Sequence, residues 1–257
     1  MKRNTAVYLT LSIATVSIVA AFLFDPVAQD PAYHLFADDR TLLAIANFWN
    51  VTSNIPFLFV GGIGLVYLYS NMPPTITPAL RPCYLVFFFG VFLTGFGSGY
   101  YHLEPNNQTL VWDRLPMTIA FMGFFAAIIG EYINADIGRK MLIPLLLIGF
   151  ASVAYWAITE NNGHGDLRPY ALVQFLPMLL IPLILILFKS DRLASRYVWY
   201  MIAAYAVSKL FEAVDVPVYE MGHLMSGHAI KHIVAAVAPL ILLFGLTRNP
   251  AGPPDSA

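Results

Sequence analysis

CYLVFFFGVFLTGFGSGYYHL, residues 83–103, is the stretch that decides the fold class of this chain. It contains no aspartate, glutamate, lysine or arginine. An apolar run of about 20 residues has the length that a helix needs to cross the hydrocarbon core of a bilayer. The stretch therefore predicts a membrane-spanning helix. Its polar end, from Ser98 to His102, indicates a functional site near one membrane surface, because a desolvated imidazole costs free energy and rarely serves as filler.

The composition of the whole chain agrees with a membrane protein. Of its 257 residues, 58% are hydrophobic and 11% are charged, and the mean hydropathy is +0.67. A soluble domain would carry about a quarter charged residues, so the deficit indicates an integral membrane protein. The net charge of −1 gives no basic surface for nucleic acid. Cys83 is the single cysteine, which excludes an internal disulfide and a thiolate metal cage.

Similar apolar runs recur along the chain and predict an all-α fold, a polytopic membrane helix bundle. We expect eight helices, near residues 5–24, 44–70, 83–103, 111–133, 141–159, 169–188, 196–214 and 228–247. The seventh run contains Lys209 and Glu212, which we expect to form a structural ion pair; the alternative is a role in substrate binding. The connecting segments are short and rich in Pro, Asn, Asp and Gly, and no linker or repeat divides the chain. We therefore predict a single integral membrane domain over residues 1–257.

The first run has two interpretations. A basic start, MKR, followed by apolar residues is also how a secretory signal begins. No clear small-x-small cleavage site precedes Asp25, and the run is longer than a usual signal core. We therefore expect an uncleaved first helix.

The distribution of lysine and arginine predicts the orientation of the bundle. With eight spans and a cytoplasmic N-terminus, only Arg40 and Arg168 fall in outer loops. The inner segments would hold Lys2, Arg3, Arg81, Arg139, Lys140, Lys189, Arg192, Arg196 and Arg248. Cytoplasmic loops carry the excess of basic residues in membrane proteins. We therefore expect both termini in the cytoplasm and a location in the inner or plasma membrane.

Three histidines are the candidate metal ligands. His102 ends the third predicted helix, and His228 and His232 stand at i and i+4 in GHAIKHIVAAV, residues 227–237. That spacing puts the last two rings on one helix face, one turn apart. Three nitrogen ligands with room for a water are the set of a catalytic zinc site. The alternative is a cluster of interhelical hydrogen bonds among the imidazoles.

Ser98 and Asp113 are predicted to lie at the same depth as these histidines, towards the outer leaflet. Ser98 precedes His102 by four residues, so its hydroxyl lies one helical turn below the imidazole. It could donate a hydrogen bond to a developing oxyanion, or simply bond to its own helix. Asp113 begins the fourth helix, where it could relay a proton or hold a ligand imidazole, or act only as a helix-start carboxylate.

Three motifs together resemble the alkaline ceramidase family. GSGYYHLEPNNQTLVWDRLPM, residues 97–117, is similar to its S-x-x-x-H and D-x-x-P-M core. HAIKHIVAA, residues 228–236, looks like the family's final H-x-x-x-H helix, and NFWNVTSNIPFLFVG, residues 47–61, resembles its opening N-x-x-S-N helix. The resemblance runs from about residue 47 to 236. The order and spacing of the three motifs are specific, whereas any one of them alone would be weak.

The resemblance implies a seven-helix core, preceded here by one extra N-terminal helix, and a zinc ion held by His102, His228 and His232. Ser98 and Asp113 match the serine and aspartate that assist the chemistry. Ceramidases of this family cleave the amide of a long-chain ceramide. The progestin and adipoQ receptors are relatives in the wider superfamily, so the fold alone does not prove an enzyme.

The sequence departs from the family pattern where the eukaryotic members bind calcium. Those proteins place an acidic segment before the opening helix, with a glutamate at the position of Asn47. FADDR, residues 36–40, is acidic through Asp38 and Asp39 but does not reproduce that ligand spacing. We therefore do not predict a calcium ion.

Our prediction is a zinc-dependent membrane hydrolase that cleaves the amide of a ceramide-like lipid. We expect a metal-bound water to attack the carbonyl, Asp113 to relay protons, and Ser98 with zinc to stabilise the oxyanion. The expected partners are the lipid substrate and the bilayer, with no protein partner. One alternative is a receptor-like, non-catalytic protein with a structural zinc site. Another is an ion transporter, although the third, fifth and sixth helices offer few polar groups for a path across the membrane.

Overall fold

The computed structural model describes residues 2–248, and these residues form a bundle of helices without a strand. The helices are α1 (Arg3–Leu23), α2 (Phe48–Thr52), α3 (Ile55–Ser70), α4 (Arg81–Leu103), α5 (Asn107–Ile128), α6 (Ala135–Asn161), α7 (Arg168–Leu187), α8 (Ser195–Ala213), α9 (Asp215–Gly222) and α10 (Gly227–Leu246). A single wide helical turn, Ile129–Ile133, continues α5. The predicted all-α membrane bundle is confirmed.

Seven segments of residues 2–248 are long and apolar enough to cross a membrane. They are Arg3–Leu23, Phe48–Ser70, Pro78–Leu103, Asn107–Ile133, Ala135–Asn161, Arg168–Leu187 and Gly227–Leu246. They match seven of the eight predicted spans. The remaining span corresponds to α8, which carries Arg196, Lys209 and Glu212 and stays a prediction as a membrane crossing.

The second predicted span, 44–70, begins later than expected and is interrupted. Leu42 and Ile45 exchange two backbone hydrogen bonds around a tight turn, in which Leu43 and Ala44 have positive φ angles of 51° and 62°. The helix therefore starts only at Phe48. It then breaks between α2 and α3, where Pro56 stands in the first turn of α3 and cannot donate a backbone hydrogen bond to the preceding turn.

Helix α4 lies between α3 and α5, and glycines set its distance to both. A Cβ atom on Gly61 of α3 would overlap the backbone of Phe92, and one on Gly90 of α4 would overlap the backbone of Ala120 in α5. Small residues allow this close approach of helix backbones in membrane bundles. As a result, the polar C-terminal end of α4 lies directly beside the polar start of α5.

The surface of the bundle is apolar, as expected of helices that face lipid. Leu11 in α1, Phe59 in α3, Leu147 in α6 and Ile186 in α7 are examples of exposed large hydrophobic side chains. The extra helix α1 packs along α7.

The segment that follows α1 crosses one end of the bundle. The carboxylate of Asp166, just before α7, accepts hydrogen bonds from the side chain and the backbone N–H of Arg168. Arg168 in turn donates to the carbonyl of Phe24 at the end of α1. This arrangement ties the start of the crossing segment to α7.

Candidate metal centre and lipid cavity

The imidazole rings of His102, His228 and His232 meet between α4 and α10. The centroid of the His102 ring lies 5.0 Å from that of His228 and 4.9 Å from that of His232, and the last two are 5.0 Å apart. One nitrogen from each ring lies within 4.8 Å of the others. All three side chains are buried. This group could hold a metal ion.

The nitrogens of this cluster are not satisfied by one another. The Nε2 atoms of His102 and His228 are 3.4 Å apart, which is long for a hydrogen bond. The Nδ1 atom of His102 is buried and has no hydrogen-bond partner in residues 2–248. Buried polar groups normally have a hydrogen-bond partner, so hydrogen bonds among the three imidazoles do not account for every nitrogen of the cluster.

The N-terminal end of α10 is held in place by two side chains. The side chain of Ser226 accepts a hydrogen bond from the backbone N–H of Ala229 and caps the helix. The carboxylate of Asp215, from the start of α9, accepts the backbone N–H of His228 at 2.6 Å. The first N–H groups of a helix have no partner within the helix, so these contacts stabilise the turn that presents His228.

Ser53 fixes the orientation of His232. Its Oγ lies 2.9 Å from Nδ1 of His232 and 3.3 Å from the backbone carbonyl of Asn50. The hydroxyl can donate to that carbonyl while it accepts a hydrogen from Nδ1, which leaves Nε2 as the nitrogen with a free lone pair. The contact with His232 was not foreseen.

The loop before α2 covers the histidine cluster. The ring of Phe36 packs on His102 and His228, with centroid distances of 4.7 and 4.4 Å. The backbone N–H of the next residue, Ala37, donates to Asp215, whose other oxygen binds the His228 backbone. Neither Phe36 nor Asp215 was identified from the sequence as part of the site. Neither residue belongs to the motif that contains the histidines, and both reach the site only through the tertiary fold.

Ser98 and Asp113 line a cavity together with His232. The cavity has a volume of about 410 Å³. A Cβ atom on Gly97 would overlap the carbonyl oxygen of Trp112, so α4 and α5 touch one residue before Ser98 and Asp113. The structure thus brings the five predicted site residues to one region: three imidazoles that cluster, and two polar groups on the adjoining cavity wall.

The rest of the cavity wall is largely apolar. It is contributed by α3, α4, α5, α7, α8 and α10, and examples of its side chains are Phe57, Val91, Phe121, Phe175, Ile181 and Met201. A cavity with one polar end and a long apolar wall suits a ligand with a polar group and a hydrocarbon chain.

Three charged side chains form a network on the same cavity wall. Glu212 of α8 binds the ammonium group of Lys209 at 2.5 Å and that of Lys231 at 2.6 Å. The pair of Lys209 and Glu212 was predicted from their spacing and is confirmed. The participation of Lys231, which comes from α10, was not predicted.

The remaining histidines lie outside the cluster. His164 and His223 are exposed. His34 differs, because its two ring nitrogens are 2.9 Å from the Tyr101 hydroxyl and from the side-chain oxygen of Asn107.

The acidic segment FADDR binds its own arginine. The Asp38 side chain is 1% exposed, and its oxygens accept hydrogen bonds from Nε and Nη2 of Arg40 at 2.8 Å. The side-chain amide of Asn50 donates to the Asp38 carbonyl. The positive charge beside the Asp38 carboxylate is therefore the guanidinium group of Arg40, which belongs to the same short segment.

A model of the Ceramidase family matches residues 40–248. The chain belongs to the Ceramidase family. The matched range contains Ser98, Asp113 and the three histidines, whereas α1 lies outside it. Membership supports a membrane hydrolase that acts on the amide bond of ceramide, with a lipid substrate and a membrane environment. A comparison with curated proteins finds no match.

Proposed function

We propose that this protein is a zinc-dependent hydrolase that cleaves the amide bond of a ceramide-like lipid within the membrane. The observation that carries the proposal is the cluster of His102, His228 and His232, which adjoins a largely apolar cavity through His232. Family membership supports the substrate class, and the donor set supports the metal.

Two of the three imidazoles have the spacing of ligands on one zinc ion. Two nitrogens bound to one tetrahedral zinc ion at about 2.0–2.1 Å would be separated by about 3.3–3.4 Å. The Nε2 atoms of His102 and His228 are 3.4 Å apart. Three neutral nitrogens and no thiolate form a set that leaves one coordination position open, as in catalytic zinc sites. The hydrogen bond that Ser53 accepts from Nδ1 of His232 supports the same assignment, because ligand histidines usually donate their second ring N–H to a fixed acceptor.

When bound, zinc would supply Lewis-acid chemistry, lowering the pKa of water and polarising the amide carbonyl. Asp113 would accept a proton from the attacking water and deliver it to the nitrogen of the leaving amine. The Ser98 hydroxyl would donate to the carbonyl oxygen as negative charge develops there. Phe36 would shield the histidines from bulk water on the loop side, since its ring covers two of them. The apolar wall of the cavity would hold the acyl chain.

The proposed orientation places this site towards the outer leaflet and both termini in the cytoplasm. It depends on the lysine and arginine distribution along the sequence. The meeting of the C-terminal end of α4 with the N-terminal end of α10 is compatible with this orientation, because both ends then belong to the same membrane surface.

The test is release of fatty acid by the purified, zinc-replete protein from defined N-acyl lipids in non-ionic detergent. We expect release from ceramide, its loss after chelation, its return with added zinc, and its loss in His228→Ala. His164→Ala is the matched control, because His164 is exposed and far along the chain from the cluster. Full zinc occupancy without release from any amide or ester would contradict the hydrolase and favour a receptor-like protein.

A further inference from the structure

The cavity next to the histidines carries an excess of positive charge. Arg114, Lys209 and Lys231 line it, and so do the two carboxylates of Asp113 and Glu212. Three cations against two anions leave a formal excess of one positive charge. The imidazoles do not reduce this excess, since they carry no negative charge.

One carboxylate serves both lysines. Glu212 lies 2.5 Å from the Lys209 ammonium and 2.6 Å from the Lys231 ammonium, at the wall of a cavity between apolar helices. A single negative charge cannot neutralise two ammonium groups. Uncompensated charge is costly inside a membrane protein, and such residues usually mark a ligand site.

Arg114 is a second indication that the cavity binds an anion. Its side chain is buried, and Nη2 donates to the Gln29 side chain at 2.5 Å. The guanidinium carbon lies 4.0 Å from the centre of the Trp156 ring and 4.6 Å from that of Tyr170, which offsets part of its desolvation. None of the ion pairs in residues 2–248 includes Arg114, and its Nη1 has no hydrogen-bond partner there.

The positions of the lysines indicate which part of a bound lipid they would contact. Lys231 is the chain neighbour of His232, and the two residues line the same cavity. In a ceramide-like lipid, the headgroup is attached only a few bonds from the amide nitrogen. An amide held beside His232 would therefore bring the headgroup close to the ammonium groups of Lys231 and Lys209.

We propose that the polar end of the cavity binds a negatively charged oxyanion headgroup, a phosphate or a sulfonate, of an N-acyl lipid. This inference rests on the proposed function, because it takes the scissile amide to lie beside His232. Within the class of ceramide-like lipids, it adds a preference for those with an anionic headgroup.

The experiment compares binding of ceramide and of ceramide 1-phosphate with the same acyl chain to the full-length, zinc-replete protein in non-ionic detergent. We expect the wild type to bind the phosphate lipid about tenfold more tightly, the effect of one charge-assisted hydrogen bond. Lys209→Met lowers the positive charge of the cavity wall by one and keeps the Lys231–Glu212 pair, so the preference should fall towards one. Lys209→Arg should restore it.

Two further variants complete the comparison. Glu212→Gln raises the positive charge of the cavity wall by one and should increase the preference for the phosphate lipid. Lys140→Met is the matched control, because Lys140 is exposed on α6 and does not line the cavity. It should leave the preference unchanged. If Glu212→Gln does not fold, the comparison of the two Lys209 variants with the wild type still decides the matter.

Several results would overturn the inference. They are equal affinity of the wild type for the two lipids, the same change in Lys140→Met as in Lys209→Met, and competition by inorganic phosphate as strong as that by the phosphate lipid. Free palmitate could instead compete for the site in a way that depends on Lys209, while the two lipids bind equally. That result would make a fatty-acid carboxylate the bound anion and would also overturn the inference.

Fatty-acid release from the same samples separates this inference from the proposed function. Headgroup preference without release from either lipid supports the inference and contradicts the hydrolase. Release from ceramide without headgroup preference supports the hydrolase and contradicts the inference.

Discussion

Ser53→Ala tests whether a hydrogen bond outside the metal ligands prepares the site for zinc. Ser53 is 4% exposed, and its hydroxyl is the hydrogen-bond partner of Nδ1 in His232, at 2.9 Å. The substitution removes that partner and leaves the histidine ligands in place. Without the Ser53 hydroxyl, the buried Nδ1–H of His232 has no acceptor, and the His232 ring is free to change tautomer or to rotate away from the other imidazoles.

The expected loss follows from the value of one buried hydrogen bond. Loss of a partner that leaves a buried donor unpaired costs about 1–3 kcal/mol. Because some of this cost is relieved by local relaxation, we take about 1–2 kcal/mol, which corresponds to a 5- to 30-fold weaker zinc affinity. This agrees with the 10- to 100-fold range typical of residues that orient metal-binding histidines, at about its lower end.

Zinc affinity is measured by competition with a fluorescent chelator in detergent. Ser152→Ala is the matched control, because Ser152 is buried to the same extent but donates only to the carbonyl of Gly149 in its own helix. We expect the control to bind zinc as the wild type does. Equal zinc affinity in folded Ser53→Ala, Ser152→Ala and wild-type protein would refute the reasoning.

Three other substitutions test the packing and electrostatics of the site. Gly97→Ala should push α4 away from α5. Overpacking should lower the free energy of unfolding by about 1–3 kcal/mol, and amide hydrolysis should be abolished. In the control Gly99→Ala, the new Cβ would meet its nearest atom at 3.9 Å, so neither effect is expected. In Asp215→Asn, an NH2 donor replaces one of the two carboxylate oxygens that accept the backbone N–H groups of Ala37 and His228. The substitution should weaken zinc binding about tenfold by loosening His228, which chelator competition measures. The paired arginine lowers the pKa of Asp166 below its ordinary value of 3.8, so this carboxylate stabilises the fold above that pH and the contribution is lost as the pH falls through the lowered pKa. Thermal melts from neutral to acid pH should therefore show a smaller acid-induced loss of stability in Asp166→Asn, and an unchanged pH dependence would contradict this.

The sequence was sufficient to predict the spans because they depend on properties of consecutive residues. Run length, hydropathy and the scarcity of charge gave seven apolar spans that the fold contains. The late start of the second span at Phe48 was missed, because its cause is a tight turn with positive φ at Leu43 and Ala44. Neither residue type usually adopts that conformation, although Asn47, which directly precedes the helix with a φ of 48°, is of a type that does.

The candidate site was predictable where a motif has fixed spacing. The i, i+4 relation of His228 and His232 places both rings on one helix face, and the site contains them side by side. Phe36, Asp215 and Lys231 could not be assigned in the same way. Their contacts with the site depend on how a loop, α8 and α9 approach α10, and this approach is set by tertiary packing rather than by residue spacing.

Zinc-edge X-ray absorption of the purified protein tests the central claim most directly. The account predicts one zinc ion per chain with three imidazole nitrogens at about 2.0–2.1 Å and no sulfur ligand. In His228→Ala, that three-imidazole signature should be lost. Protein prepared with excess zinc that binds none, or a zinc signal of wild-type character in His228→Ala, would contradict the account.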